Sequence, residues 1–321
     1  MVQHTEHPRS VTFPNNDMSQ FGKGLSHFQH DFLSSGLFTD ERLARLIERY
    51  PREYYMITTM TQQSQKPEWR NGDLNGVSGE YALEAIRNGR LWLCLRRFDL
   101  IAPEYDDLVA DAFAQIESMN PGLTTSGHKS SLLISSPGAR VLYHADIPMV
   151  SLWHLRGRKR VWLYDPNDKT HLPDEVLEGI MLRETEEEIP YDQSWDQTAQ
   201  SIVLEPGYAL SWPHNAPHRV DNLEGLNVSI TTDYFTPETK RRYGVYYTNG
   251  LMRRRLGVKP RSTSANGIGA YAKCAAALAA KKVGVKAATE RSMMQTFKLN
   301  KEMPGALIDL SPAEQQAITQ Y

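Results

Sequence analysis

Three side chains that can bind a metal ion stand out in the middle of the chain. His144 and Asp146 form a His-x-Asp motif in a segment whose composition is typical of a β-strand. Residues i and i+2 of a strand point to the same face, so both side chains can reach one ion. His218 can supply a third ligand if its own segment lies beside the first. Two histidines and one carboxylate form a facial triad with open coordination positions, which indicates catalysis rather than structural bracing.

The residues before His144 predict two strands that deliver it to this site. Ser131–Ser135 has strand composition, Pro137 and Gly138 form a turn signal, and Arg140–Tyr143 has strand composition again. The sequence therefore predicts a strand, a tight turn and a second strand that leads directly into His144.

The segment that leads to His218 also predicts a turn followed by a strand. Leu204–Gly207 predicts a turn and Tyr208–Trp212 a strand, and a proline-bounded loop then ends at His218. His214 lies in that loop and is an alternative third ligand. The strand that begins at Arg219 favours His218.

Together these segments resemble the jumonji C (JmjC) branch of the cupin superfamily, whose members are iron(II)- and 2-oxoglutarate-dependent oxygenases. The resemblance extends over roughly residues 91–235 and rests on the His-x-Asp motif, a strand pair over Trp153–Pro166, the Pro-Gly turn and the Pro-x-x-x-x-His ending. It implies that His144, Asp146 and His218 bind Fe(II). It also implies that 2-oxoglutarate and O2 are cosubstrates and that a C–H bond of a protein side chain, a tRNA or a small molecule is hydroxylated.

Lys159 matches the family position whose basic residue holds the distal carboxylate of 2-oxoglutarate. The strand pattern supports this role independently, because Lys159, Val161 and Leu163 share one face and that face is otherwise apolar. An inward-facing lysine requires an anion. The alternative is that its stem packs near a turn at Gly157 while the ammonium group reaches water.

The chain departs from the family pattern at Val141, where related hydroxylases often carry a threonine that helps to bind the cosubstrate. Polar residues on flanking strands could replace the missing hydrogen bond, and Ser229 and Thr231 are our preferred candidates. The other candidates are Ser131, Tyr143 and Asn227.

Two further groups resemble metal ligands but are interpreted differently. His154 lies among apolar residues, so we expect a buried core histidine rather than a fourth ligand. The acidic run over Glu184–Glu188 is typical of a solvated surface, because adjacent like charges repel one another.

The pattern of the whole chain predicts an α+β fold: a double-stranded β-helix (jelly-roll or cupin) barrel with N-terminal helices and a C-terminal helical extension. We expect a polar tail over residues 1–19, a helical portion over 20–122 that packs on the barrel, the barrel core over 123–235 and a basic helical extension over 236–321. The predicted helices are Asp40–Tyr50, a segment from Ser78 to Asn88, Pro103–Met119, Thr236–Leu256, Tyr271–Lys282 and Thr289–Phe297.

Composition limits the environment of the protein. The 321 residues include only two cysteines, Cys94 and Cys274, so a disulfide framework is not expected and a reducing compartment fits. The chain has no apolar run long enough to span a membrane, and its N-terminus lacks the apolar core of a signal peptide. We therefore expect a cytoplasmic protein.

Charge is distributed unevenly along the chain. Residues 236–321 contain 15 Lys and Arg against 5 Asp and Glu, a net charge of +10, whereas residues 1–235 carry −12. Basic groups at 240–242 and 253–255 could attract an RNA or an acidic protein. Because no nucleic-acid motif accompanies them, we favour contacts with the acidic half of the chain or with a second subunit. The resemblance also implies a homodimer formed through the helical extension.

Two other classes of function remain open. A cupin could use the triad with another metal for non-oxidative chemistry, in which case Lys159 has no purpose. A non-catalytic JmjC-like binding or regulatory protein could keep the barrel and bind its partner through the basic extension. Hydroxylation is favoured over demethylation, because the chain carries no cysteine cluster for a zinc-binding reader domain.

Overall fold

The structure is a computed structural model, and it describes residues 10–14, 17–60, 69–184, 189–260, 262–284 and 292–319. The helices within these ranges are α1 Asp40–Arg49, α2 Gly79–Asn88, α3 Phe98–Ile101, α4 Pro103–Met119, α5 Asp174–Met181, α6 Pro237–Leu256 and α7 Ile268–Lys282. Short 3-10 helices cover Asp17–Gln20, Phe32–Ser35, Arg52–Tyr54 and Gln193–Gln197. The strands are β1 Val11–Thr12, β2 Ser26–His30, β3 Tyr55–Thr59, β4 Asn71–Asp73, β5 Leu91–Arg96, β6 Ser126–Ser135, β7 Arg140–His144, β8 Met149–Leu163, β9 Gln200–Leu204, β10 Tyr208–Ser211, β11 His218–Phe235, β12 Ser292–Leu299, β13 Leu307–Asp309 and β14 Ala317–Thr319.

Two long antiparallel strands, β8 and β11, connect the two layers of the barrel. The first half of β8 pairs with the second half of β11, between β10 and β6, and this part belongs to the major layer. The order of strands in the major layer is β1-β2-β10-β8-β11-β6-β5-β3-β4-β12-β13. The second half of β8 pairs with the first half of β11, flanked by β9 and β7, and these four segments form the minor layer. The architecture is the predicted α+β jelly roll.

A bulge at Gly157 separates the two halves of β8. Gly157 has a φ of +79°, and a Cβ atom there would lie 2.8 Å from the side-chain nitrogen of Asn227 and from the carbonyl oxygen of Glu224. The register of the β8–β11 ladder shifts at this point, so that His154 before the bulge and Lys159 after it point to the same side. The predicted strand pair with a turn at Gly157 was therefore wrong, since the strand continues through this residue.

Apolar residues fill both sides of the major layer. The interior between the layers is lined by Val150, Leu152, Val161, Leu163, Leu204, Leu210, Trp212, Ala216 and Val220. The opposite face packs against α1, α2 and α4 through a larger core that includes Trp153, Ile230 and Tyr234. Helices thus close one side of the sheet, and the metal-binding residues lie on the other.

The N-terminal helices begin and end where their sequence signals predict. Thr39 and Ser78 cap α1 and α2 by accepting hydrogen bonds from the backbone N–H three residues later. The segment over 20–122 also contributes four strands, β2 to β5, that extend the major layer. Its description as helical was therefore incomplete.

The C-terminal region contains both helices and strands. Thr236 and Thr239 form a capping box that starts α6, and Gly257 ends it in the left-handed conformation. The predicted helix over Thr289–Phe297 was wrong, because Ser292–Leu299 forms β12 and pairs in parallel with β4. Its buried residues from Gln295 to Leu299 alternate with less buried ones, the period of a strand rather than of a helix.

Basic residues near the end of α6 form ion pairs with the acidic helix α5 of the same chain. Arg253 lies 2.8 Å from Glu175 and 2.7 Å from Glu178, and Arg254 pairs with Glu178 and Glu184. Part of the basic charge is therefore neutralised internally. The remaining members of the predicted acidic surface run, residues 185–188, lie outside the described residues. None of the described helices is long and apolar enough to cross a membrane.

Candidate metal centre and cosubstrate site

The three predicted ligands lie together between the layers. His144 and His218 are direct cross-strand neighbours on β7 and β11, and their ring centroids are 4.1 Å apart. The Nε2 atom of His144 lies 3.8 Å from Oδ1 of Asp146, and Nε2 of His218 lies 3.4 Å from Oδ2. One ligand atom from each residue fits within a group whose members are all within 4.8 Å of one another. The arrangement can hold one metal ion.

Backbone carbonyl groups fix the orientation of both imidazole rings. The Nδ1 atom of His144 lies 2.7 Å from the carbonyl oxygen of Leu142, and Nδ1 of His218 lies 3.0 Å from that of Ala216. Since a carbonyl oxygen only accepts, Nδ1 carries the proton in each ring. Both Nε2 lone pairs are then free to bind a metal, which is the usual arrangement of a metal-binding histidine.

Burial disfavours charge on the ligand residues. It raises the pKa of the Asp146 carboxyl, while the neighbouring His144 lowers it. It also lowers the pKa of His218 well below the ordinary value, and the positive charge of a protonated His144 acts in the same direction. His218 is therefore neutral at physiological pH, the form in which histidine binds metals.

The loop before His218 is fastened to the segment that follows Asp146. The side-chain amide of Asn215 donates to the carbonyl oxygen of Asp146 at 2.8 Å, and Nε2 of His214 lies 2.8 Å from the carbonyl oxygen of Ile147. Arg242 on α6 donates in turn to Asn215 at 3.1 Å. His214 thus supports the loop, and the histidine that lies with Asp146 is His218.

Lys159 lies in the interior with only 4% of its surface exposed. Within the described ranges, its ammonium group has no hydrogen-bonding or ion-pair partner. Burial lowers its pKa to about 7. Leu204 on β9 and Asn222 on β11 are its cross-strand neighbours. A buried lysine without a counterion indicates that an anion completes the site.

The two predicted accessory residues differ in their surroundings. Ser229 is fully buried, and its hydroxyl lies 3.0 Å from Nδ1 of His154. His154 also approaches the carbonyl oxygen of Gly157 at 2.9 Å, and burial, with the charge of Lys159 as the next cause, lowers its pKa to about 3. His154 is thus a neutral, hydrogen-bonded interior residue. Thr231 is partly buried between its cross-strand neighbours on β6 and β8.

Sequence reasoning did not single out Asn222, which lies opposite Lys159. Its amide donates to the hydroxyl of Ser135 at 2.7 Å and to the carbonyl oxygen of Ser136 at 3.1 Å. The sequence pattern did indicate Asn222, because His218, Val220 and Asn222 occupy every second position and therefore lie on one face of the strand. A buried amide beside Lys159 offers further polar contacts to a bound anion.

An insertion between β8 and β9 covers the outer side of the triad strands. Arg219, next to His218, points away from the interior and donates to Asp196 at 2.5 Å and to Asp221 at 2.6 Å. Its guanidinium group also stacks over the ring of Trp162, 4.2 Å from the centroid. Although burial opposes ionisation of Asp196, hydrogen bonds from Tyr164 and other neighbours lower its pKa. This buried pair anchors the insertion to the first residues of β11.

Solved structures resemble this chain only distantly. No curated protein matches the sequence. Solved structures that match include one described as E. coli ycfD, with 16% identity, a TM-score of 0.48, and coverage of 87% of this chain and 70% of that chain. Another is YcfD, described as a ribosomal oxygenase from Escherichia coli in complex with cobalt and 2-oxoglutarate, with 17% identity, a TM-score of 0.40, and coverage of 77% and 59% respectively. At this identity the likeness concerns the fold alone, and the chain spans only about 60% of the length of several such structures.

The sequence itself matches one family model. The model describes a cupin-like domain and covers residues 59–240, from the end of β3 into α6. This range includes His144, Asp146, Lys159 and His218, together with both layers of the barrel. The chain belongs to the family of cupin-like domain proteins.

Proposed function

We propose that the protein is an iron(II)- and 2-oxoglutarate-dependent oxygenase that hydroxylates a C–H bond of its substrate. The observation that carries this proposal is the shared interior of the metal triad and Lys159. A triad of two histidines and one carboxylate is typical of non-haem iron(II) oxygenases. The unpaired lysine gives such a site a binding partner for the distal carboxylate of 2-oxoglutarate. Together they distinguish an oxygenase from a cupin that binds a metal alone.

The residues present fit both groups. His144, Asp146 and His218 would hold the iron through two Nε2 atoms and a carboxylate oxygen, and these atoms already lie close together. Lys159 would bind the far end of 2-oxoglutarate, with Asn222 beside it and with Ser229 and Thr231 as further polar groups on the same interior surface. Apolar side chains surround this space.

In this mechanism the protein residues position the reactants, and hydrogen bonds fix which ring nitrogens of the histidine ligands carry protons. Bound iron, with 2-oxoglutarate and O2, supplies the oxidising chemistry: 2-oxoglutarate loses CO2 to give succinate, and one C–H bond of the substrate becomes C–OH. The Nδ1–H groups of His144 and His218 stay with their carbonyl partners and keep both rings fixed. Lys159 must be protonated to hold the carboxylate, so binding at pH 8 is accompanied by proton uptake, because its pKa in the free protein is about 7.

Isothermal titration of 2-oxoglutarate into Mn(II)-loaded protein tests the proposal without requiring turnover. We expect wild-type protein to bind 2-oxoglutarate, Lys159→Met to bind it at least tenfold more weakly, and Lys159→Arg to retain part of the affinity. Lys129→Met, at an exposed position on β6, is the matched control and should bind as wild type does. Equal affinity of the wild-type and Lys159→Met proteins would favour a metal-binding cupin with non-oxidative chemistry.

We also propose that the protein is a cytoplasmic homodimer. Its two cysteines are both free thiols, which suits a reducing compartment. One face of α7 exposes Ile268, Tyr271 and Leu278, with exposed fractions of 91%, 62% and 70%. Their spacing of three and seven residues forms one apolar stripe, and small alanines between them allow close helix contact. A second copy of this helix is the partner that the stripe suits.

A further inference from the structure

Asp233 points into the interior of the barrel from the second half of β11. The residues on either side face the helices instead: the hydroxyl of Thr232 accepts a hydrogen bond from Trp153 at 3.2 Å, and Tyr234 is fully buried in the helix-side core. Successive residues of a strand alternate between faces, so Asp233 lies on the same side as Thr231 and Ser229. That side is the one that holds the metal triad.

The carboxylate of Asp233 is partly buried and has no fixed partner in the part of the chain that the structure describes. Its cross-strand neighbours are Val150 on β8 and the exposed Lys129 on β6. Among the residues that the structure describes, none forms a hydrogen bond or ion pair with it. Burial and the nearby charge of Asp146 raise its pKa to about 7, and Lys129 opposes this shift. Asp233 is therefore close to the metal-binding carboxylate but is not a member of the triad.

An unpaired carboxylate in this position is unfavourable in the free protein. A hydrogen-bond donor on a bound molecule would remove this cost. Withdrawing a carboxylate from water costs free energy unless hydrogen bonds replace the lost hydration. A second carboxylate next to Asp146 also increases the negative potential on this side of the site, which favours a cation. Lys159, the buried cation of the interior, is accounted for by 2-oxoglutarate. Asp233 has no corresponding role in binding the metal or the cosubstrate.

We propose that Asp233 binds a cationic group of the substrate, such as the guanidinium or ammonium group of a basic side chain, beside the metal triad. This inference rests on the proposed function, because it assigns the substrate class of the same site. A cationic donor forms a charge-assisted hydrogen bond with a carboxylate, whereas an apolar chain of the same length leaves the carboxylate unpaired. Lys129, at the exposed end of the same cross-strand pair, competes with the substrate for Asp233.

Paramagnetic line broadening in NMR spectra tests this assignment. The probes are N-acetyl-L-arginine methylamide, N-acetyl-L-lysine methylamide and the uncharged N-acetyl-L-norleucine methylamide, each titrated into Mn(II)-loaded protein with 2-oxoglutarate present. We expect broadening of at least one cationic probe and much weaker broadening of the norleucine probe. Asp233→Asn should weaken binding of the cationic probe by about 10-fold to 100-fold. Asp111→Asn, at an exposed position on α4, is the matched control and should change nothing.

A second variant keeps the test decisive if Asp233→Asn does not fold. Lys129→Gln removes the competing cation at an exposed position and should strengthen binding of the cationic probe severalfold. Equal broadening by all three probes in the wild type would overturn the inference. So would unchanged binding in Asp233→Asn, or in Lys129→Gln if Asp233→Asn does not fold. Failure of the proposed function is seen separately, as a lack of 2-oxoglutarate binding in the titration with Lys159 variants.

Discussion

At the scale of single residues, the ligand residues and Lys159 are prepared for binding in opposite ways. The two histidine ligands are already hydrogen-bonded through Nδ1, so no reorganisation is needed before Nε2 binds a metal. Lys159 is buried before its partner arrives. Burial of the Lys159 ammonium group therefore destabilises the free protein, and a bound dicarboxylate removes this destabilisation.

This destabilisation predicts that Lys159→Met stabilises the metal-free protein. The pKa of Lys159 is about 7 when folded, against an ordinary value of 10.5, so the unfolded chain binds more protons between these values. The wild type should gain stability as pH rises through this window, and its penalty is fully present below pH 7. Lys159→Met should lose that pH dependence and gain roughly 1–4 kcal/mol at pH 6.

Urea denaturation at pH 6 and pH 9 measures both effects. Lys240→Met, at an exposed position on α6, is the control for this measurement and should reproduce the wild-type change between the two values of pH. A Lys159→Met protein that is less stable than wild type at pH 6 would mean that the ammonium group already has a partner in the free protein.

At the scale of elements, the bulge in β8 determines which residues reach the interior. Without the irregular register around Gly157, regular alternation along β8 would direct Lys159 away from His154. Asn227 holds the opposite strand at this point, because its amide donates to the carbonyl oxygens of Glu224 and Gly225 at 3.1 and 3.0 Å. The bulge thus connects a backbone conformation to the cosubstrate site.

Gly157→Ala should consequently impair both stability and 2-oxoglutarate binding. The new methyl group requires a residue other than glycine at a φ of +79° and clashes with Asn227 and Glu224, so we expect a loss of about 2–5 kcal/mol. Gly138→Ala is the matched control, because Gly138 has a φ of +70° and no described residue lies within 4 Å of the added atom.

Thermal unfolding and the 2-oxoglutarate titration distinguish the two glycine variants. Gly138→Ala should lose only about 1–2 kcal/mol from backbone strain and keep its affinity for 2-oxoglutarate. Equal losses of affinity in both variants would contradict the role of the bulge in placing Lys159.

Local signals predicted most elements, but not those that depend on distant pairing. Helices α1 and α2 have side-chain caps and apolar stripes, α4 begins at Pro103, and the strands around His144 and His218 are bounded by turn residues. A glycine with positive φ has the same sequence signal in a turn and in a bulge, so the continuity of β8 was not predicted. The strand β12 follows an alanine-rich helix, and its pairing with β4 spans more than 200 residues.

The residues of the site were likewise only partly predictable from the sequence. His144, Asp146 and His218 were found from strand alternation and spacing, and Lys159 from the family resemblance together with its place on an apolar face. Asp233 was not found, because its direction depends on the irregular register of β11 between Asn222 and Ser229. The sequence of one strand does not show where its register shifts against the neighbouring strand.

At the scale of the whole molecule, charge and exposed apolar surface have different roles in the C-terminal region. Arg253 and Arg254 bind the acidic helix α5 and fasten α6 to the insertion that covers the triad. The helix α7 packs on α6 through Ala277 and leaves its apolar stripe exposed. The ion pairs join α6 to α5, and the exposed stripe on α7 is the surface that we propose binds a second copy.

Leu278→Asp should convert the proposed dimer into a monomer, because a buried aspartate would lie at the contact between two copies of α7. Sedimentation velocity across a range of protein concentrations measures the change. Leu100→Asp, at another exposed apolar position on α3, is the control and should sediment as wild type does. A wild-type protein that stays monomeric at every concentration would contradict the proposed contact.

Together, the triad and Lys159 should support oxidation coupled to 2-oxoglutarate. The most direct measurement is succinate formed when O2 is admitted to anaerobically purified protein with iron(II) and 2-oxoglutarate, with and without cell extract. We predict succinate from wild type, an increase with extract that contains the substrate, and none above background from Asp146→Ala or Lys159→Met. Wild-type protein that binds iron but gives no more succinate than Asp146→Ala under either condition would contradict the proposed oxygenase activity.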